Sequence, residues 1–189
     1  MKKGRTFKSV FGLLLAAALV IAVVPFAAHK ARISLYPKKY SSYVSQYAQE
    51  YGIDENYVYA IIRTESGFDS KAESDAGARG LMQITQETFE WIKTKIAPSE
   101  ELGFDSLYDP QRNIQFGTYF LAVCLERYDG DLATAAAAYH SGIGKVNELL
   151  TQSEYSSDGR TLHTFPYSQM SNYVHKVQKN YQEYCALYS

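Results

Sequence analysis

No Asp or Glu occurs in the first 39 residues of this 189-residue chain, although those positions hold eight Lys or Arg. All twenty acids fall in residues 40–189, against eleven basic residues, a balance of −9 that the overall net charge of −1 conceals. An acidic globular part repels phosphate backbones, which argues against nucleic acid as its partner. Cysteine is scarce: Cys124 and Cys185 are the only two, each on an expected helix, and the sequence leaves open whether they pair or stay free thiols. Two cysteines and four scattered histidines give no ligand spacing, so neither a metal nor a cofactor is expected. Convincing strand alternation is missing, and so are repeats and low-complexity tracts.

What is present begins with residues 9–28, uncharged and rich in Leu, Ala and Val, after Lys2, Lys3, Arg5 and Lys8. That is about the length needed to cross a hydrocarbon core, ~20 residues. The organisation expected is a basic cytoplasmic tail (1–8), a transmembrane signal-anchor (9–28), a linker (29–39) and one catalytic domain (40–189). A cleaved signal peptide is the alternative for the apolar segment. It lacks a good small-x-small cleavage site, because a cut after Ala28 puts Phe26 at the third position back. Lys30, Arg32, Lys38 and Lys39 balance the basic residues before the span, so charge does not set its orientation. A very short tail is more simply left inside, which puts the domain outside the cytoplasm, membrane-anchored or, if the segment is cleaved, secreted. Roughly 150 residues suffice for one domain with a real core and not for two.

The remainder reads as helices. Expected spans are 40–51, closed by Gly52; 54–65, capped by Asp54; a third from the Thr85 cap to about Lys95, with Phe89 and Ile92 inward; and 111–128. An alanine-rich helix follows the Asp131 cap and ends near Tyr139, and a short one carries Val146, Leu149 and Leu150. The last helix bears Tyr173, Val177, Tyr181, Tyr184 and Tyr188 at steps of four, four, three and four. Residues 66–82 and the polar stretch through Gly159 are loops that could border a groove, and residues 97–110 are irregular. The fold class expected is mainly α.

Glu65 continues the apolar stripe of Tyr57, Val58, Ile61 and Ile62 and so shares their buried face. It also lies in the last helical turn, where the macrodipole opposes negative charge, and partial burial opposes ionisation too. Both effects favour a protonated acid, the state a glycoside-cleaving general acid needs near neutral pH. Position alone also fits a Glu at a frayed helix end with its head in water; the residues that follow decide between the two readings. Seventeen Tyr, nine Phe and one Trp would suit saccharides, but most sit at helical spacing and read as core.

The stretch Ala60-Ile61-Ile62-Arg63-Thr64-Glu65-Ser66-Gly67-Phe68, then Ala72, Ser74 and Gly77-Ala78-Arg79-Gly80-Leu81-Met82-Gln83-Ile84, closely resembles the catalytic signature of the soluble lytic murein transglycosylases, relatives of goose-type lysozyme. Asp109-Pro110, Asn113-Ile114 and Gly117 look like that family's next block. Ala137-Ala138-Tyr139-His140-Ser141-Gly142 looks like its Ala-Tyr-Asn-Ala-Gly block, and Pro166 with Tyr173-Val174-His175-Lys176-Val177 like its closing one. The resemblance covers about residues 40–180. It implies a lysozyme-like fold and cleavage of the bond between N-acetylmuramic acid and N-acetylglucosamine in peptidoglycan glycan strands. It further implies a 1,6-anhydro product and a single catalytic acid/base, matched here by Glu65.

By the same resemblance Ser66, Met82, Gln83, Tyr139, His140 and Tyr173 are expected at the substrate. Ser66 would hold the acid or the sugar by its hydroxyl, Gln83 would hydrogen-bond a sugar with Met82 packing below, and the Tyr173 hydroxyl would reach the acid. Asp69, Glu73 and Asp75, nearby on a polar loop, read as solvated or capping groups rather than a second catalytic carboxylate. His140-Ser141 stands where the family usually has Asn-Ala, so an imidazole replaces a substrate-contacting amide, with the prospect of added charge below about pH 6.5. Gln169-Met170 stands where Glu-Thr is usual, and Thr85-Gln86 lacks a common proline. Two alternatives stay open: a lysozyme-type muramidase that admits water to the same bond, and a non-catalytic peptidoglycan-binding module.

Overall fold

The computed structural model describes residue 21 and residues 23–189. The chain divides into one unit ending at Pro37 and another spanning Lys38–Ser189. In the first, the described residues are helical as far as residue 35. The membrane span expected over residues 9–28 falls largely outside the described residues, and among those described no helix is long and apolar enough to cross a membrane.

The second unit comprises α1 (Ser41–Tyr51), α2 (Glu55–Glu65), α3 (Gln86–Ile96), a 3-10 helix (Phe104–Tyr108), α4 (Pro110–Arg127), α5 (Leu132–Ser141), α6 (Ile143–Leu150) and α7 (Ser168–Tyr188). Among the described residues there is no strand, only isolated bridges of Arg79 to Glu73 and Ile84, so the mainly α expectation holds. Short polar side chains set the helix starts by accepting from backbone N–H groups that have no helical partner. Asp54 takes the Asn56 N–H at 2.8 Å, Thr85 that of Thr88 at 3.3 Å, and Asp131 that of Thr134 at 2.7 Å. Asp109 takes the Arg112 N–H at 2.9 Å, and α4 therefore begins at Pro110, one residue before the expected start, where a missing N–H costs nothing.

Helix α2 is interior: Asn56 through Ile62 are all buried, which is why its apolar residues cover nearly its whole circumference. It packs on α7 and α1, while α5 packs on α4, α6 and α7. Ala135, Ala136, Ala137 and Ala138 of α5 are fully buried. A second core region joins Phe89 and Ile92 of α3 to Phe116 of α4, with Ile84, Ala97 and Leu107. Phe89 and Phe116 stack at 5.4 Å, and burying each such side chain is worth ~1.5–3 kcal/mol. Leu107 belongs to the 3-10 helix, so residues 97–110 are less irregular than expected: a buried anchor organises them. Both cysteines are free, and burial pushes the Cys124 thiol up to about 12.

Candidate active site

The loop from Ser66 to Thr85 lies between α2 and α3, and its shape depends on one buried amide. Asn113 of α4 accepts the Met82 N–H at 2.7 Å and donates to the carbonyls of Arg79 at 2.8 Å and Leu107 at 2.9 Å. Gly80, at φ +73°, passes so close that a Cβ there would sit 2.2 Å from Asn113 Nδ2. Gly117 is tight for a similar reason, since its Cβ would come within 2.4 Å of Met82 Sδ. On the outer side Arg79 lies 4.3 Å from the Phe104 ring centre and pairs with Asp105 at 2.5 Å and Glu73 at 3.5 Å. Glu73 also accepts the Tyr108 hydroxyl at 2.6 Å, and Asp69 accepts the Lys71 N–H at 2.8 Å. These loop acids thus brace and cap the loop.

Glu65 is the last residue of α2. Glu65 is half-buried at the cavity wall, and burial of its carboxyl raises its pKa to about 7, against the opposing effect of the Tyr173 hydroxyl. Tyr173, on α7, donates to Oε1 at 2.6 Å, so residues 108 positions apart meet at one oxygen. The group can therefore be found in either protonation state near neutrality, as acid/base chemistry demands.

The other expected residues fall into two sets. Gln83, Tyr139 and His140 line the same cavity as Glu65. Gln83 adopts φ +49° and donates its amide N–H groups to the carbonyls of Gly80 at 2.9 Å and Ala72 at 3.2 Å, which leaves its amide oxygen as the acceptor available to the cleft. Tyr139 donates to the Met82 carbonyl at 2.8 Å and offers its ring. His140 stacks on Tyr173, ring centres 4.3 Å apart and planes 12° from parallel. Burial lowers its pKa below the usual 6.5, so the charge expected below about pH 6.5 is deferred to more acid conditions.

Met82 and Ser66 stand differently. Met82 is fully buried against Gly117, so it forms the floor beneath Gln83 and presents no surface to a ligand. The Ser66 hydroxyl donates to the Leu81 carbonyl at 2.8 Å and accepts the Phe68 N–H at 3.1 Å. It ties the loop to the end of α2 and makes no bond to the carboxyl.

Cavities open on both sides of Glu65. One, of about 240 Å³, runs past Gln83, Thr88, Phe120 and Tyr139. The other, of about 470 Å³, is bordered by Thr64, Gln169, Asn172 and Lys176, and it shares His140 and Gln169 with a third beside Lys145 and Tyr167. Sequence reasoning had not singled out Asn113, Phe120, Asn172 or Lys176 for a role at the site. Asn113 and Lys176 were visible only as members of ordered blocks, and Phe120 and Asn172 carried no signal beyond helical position.

Residues 42–161 match the transglycosylase SLT domain family. The chain is 30% identical over 143 residues to the soluble lytic murein transglycosylase of Salmonella typhimurium, covering 75% of this chain and 22% of that protein. It is 31% identical over 171 residues to the membrane-bound lytic murein transglycosylase C of Sodalis glossinidius, covering 76% and 47% respectively. The chain thus spans between about a fifth and a half of these relatives' length. Among solved structures it resembles the lytic transglycosylase Slt of Pseudomonas aeruginosa, there an inactive Glu-to-Gln mutant, with a TM-score of 0.70 at 27% identity over 80% of this chain and 24% of that one. The mainly α, lysozyme-like fold is shared with it.

Proposed function

Because this chain belongs to the transglycosylase SLT family, we propose that it cleaves the β-1,4 bond between N-acetylmuramic acid and N-acetylglucosamine in peptidoglycan, with Glu65 as sole acid/base. Protonated Glu65 gives its proton to the glycosidic oxygen, and the C1–O bond breaks. The resulting carboxylate then takes the proton of the muramic C6 hydroxyl, whose oxygen bonds to C1 and closes a 1,6-anhydro ring. No water is consumed, and the acid ends as it began.

The observation that carries this reading is a carboxyl whose pKa is raised to about 7, bonded to Tyr173 and open to cavities on both sides. Paired-carboxylate hydrolases need a second carboxyl roughly 5–9.5 Å away. Among the described residues lining the two cavities beside Glu65, none other is acidic. The inactive Glu-to-Gln relative supports the same assignment. Gln83 and His140 then contact the sugars, and Tyr139 contributes a ring wall. The uncharged segment 9–28 and the membrane-bound name of one relative support tethering at the membrane with the domain on its outer side.

Mass analysis of peptidoglycan digests tests the reaction. Anhydro-muramic ends should form with the parent chain and fall at least ~10²-fold with Glu65→Gln, the scale of loss for a positioned proton donor. Reducing ends alone would make it a muramidase, and equal turnover by both proteins would leave a binding module.

A further inference from the structure

The cavity beyond Phe120, away from Glu65, holds the one tryptophan in the sequence. Trp91 is 39% exposed, and with Tyr167 it makes up the exposed large aromatic or apolar side chains of the second unit among the described residues. Its ring is not loose: Tyr119 and Phe120 hold it, each with centres 6.1 Å away. Lys95 lies 5.9 Å from the indole, at the outer limit of a cation–π contact. Phe120 in turn touches Tyr139 at 5.2 Å, so an aromatic path runs from Trp91 to the wall of the Glu65 cavity. The Trp91 cavity has a volume of about 320 Å³, within the roughly 300–1,000 Å³ of small-ligand sites, and shares Thr88 and Phe120 with the cavity at Glu65. Gly142 and Gly144 border it with no side chain, and a Cβ at either would meet nothing within 4 Å. The exposed Glu87 carboxylate and the Thr88 hydroxyl stand at its rim.

We propose that this cavity is a distal saccharide subsite, in which Trp91 stacks on an outer N-acetylhexosamine of the strand whose scissile bond lies at Glu65. A rigid apolar plate beside a carboxylate and a hydroxyl suits a pyranose, which has an apolar face and a rim of hydroxyl donors. The inference rests on the glycan-cleaving reading above and adds a length requirement to it: short oligomers centred at Glu65 do not reach Trp91, and long ones do.

As the only tryptophan, Trp91 reports its own occupancy through its emission. The probe is a series of β-1,4-linked N-acetylglucosamine oligomers, from two to six sugars, added to the full chain carrying Glu65→Gln. Saturable change in emission is expected with the longer oligomers and none with the dimer. By calorimetry, Trp91→Ala should weaken hexamer binding roughly 3- to 10-fold, the range of one stacking contact, and leave the dimer unchanged. Trp91→Phe should keep most of the affinity, which separates stacking from a folding defect. Silent emission while the hexamer binds, or equal losses for dimer and hexamer, would overturn the subsite alone. Emission that follows protein concentration instead would assign the face to a second copy and overturn it too. If no oligomer binds and peptidoglycan is not cut, the parent reading fails with it.

Discussion

At the Glu65 carboxyl two effects of opposite sign meet. Burial disfavours its charge and the Tyr173 hydroxyl favours it, with burial the larger and the pKa about 7. Removing the hydroxyl as Tyr173→Phe therefore raises the pKa further. Because the first step needs the protonated form, the alkaline limb of kcat/KM should move to higher pH by roughly one unit, the size of one hydrogen bond to a charged group. A fixed limb would show that the bond does not govern the titration. The half-buried, helix-end placement of Glu65 was legible in the sequence because helical phase and helix end are local facts, whereas its proposed role as the acid came from the family resemblance. That Tyr173 reaches it could be inferred only through the family resemblance, since the two residues lie 108 positions apart. The stacking of His140 on Tyr173 was not legible, for it depends on how α5 and α7 meet.

Between residue and domain, the unit that matters is the loop 66–85 and the helix face beneath it. Gly117 of α4 leaves room for Met82, and Met82 supports Gln83. Replacing Gly117 by Ala overfills that contact and should lower stability by ~1–3 kcal/mol, seen as a drop in the melting midpoint, with turnover falling as Gln83 is displaced. An unchanged midpoint would show that the loop yields without cost. Helix positions were readable because capping side chains and apolar spacing act within a few residues. The loop was not: the positive φ values of Gly80 and Gln83 reverse the chain, and that Met82 packs inward below Gln83 was expected only from the family resemblance. Trp91 escaped notice because it neighbours the buried Ile92 on α3, and a stripe of inward residues says nothing about what the outer face borders.

For the molecule as a whole, residues 38–189 enclose their own core, from Val44 on α1 to Tyr184 on α7. A chain shortened by residues 1–37 should therefore melt within ~2 °C of the full one, since among the described residues the buried apolar side chains all lie between Val44 and Tyr184. A markedly lower midpoint would mean that the first unit contributes to stability. Composition had already separated a basic, acid-free beginning from an acidic domain, and the mainly α class followed from spacing alone. What composition could not supply was the path of the cleft, which is assembled from five separate stretches of chain around Glu65.

The alanine run of α5 constrains how such a domain can vary over generations. Ala135 through Ala138 have no exposed surface, so any larger residue meets packed neighbours. A glycine would loosen the helix by about 1 kcal/mol per position. Both directions of change are thus closed along a segment that ends in Tyr139 and His140. Sequence drift is steered instead to positions that face the cleft or the solvent, where new substrate preferences can arise on an unaltered frame.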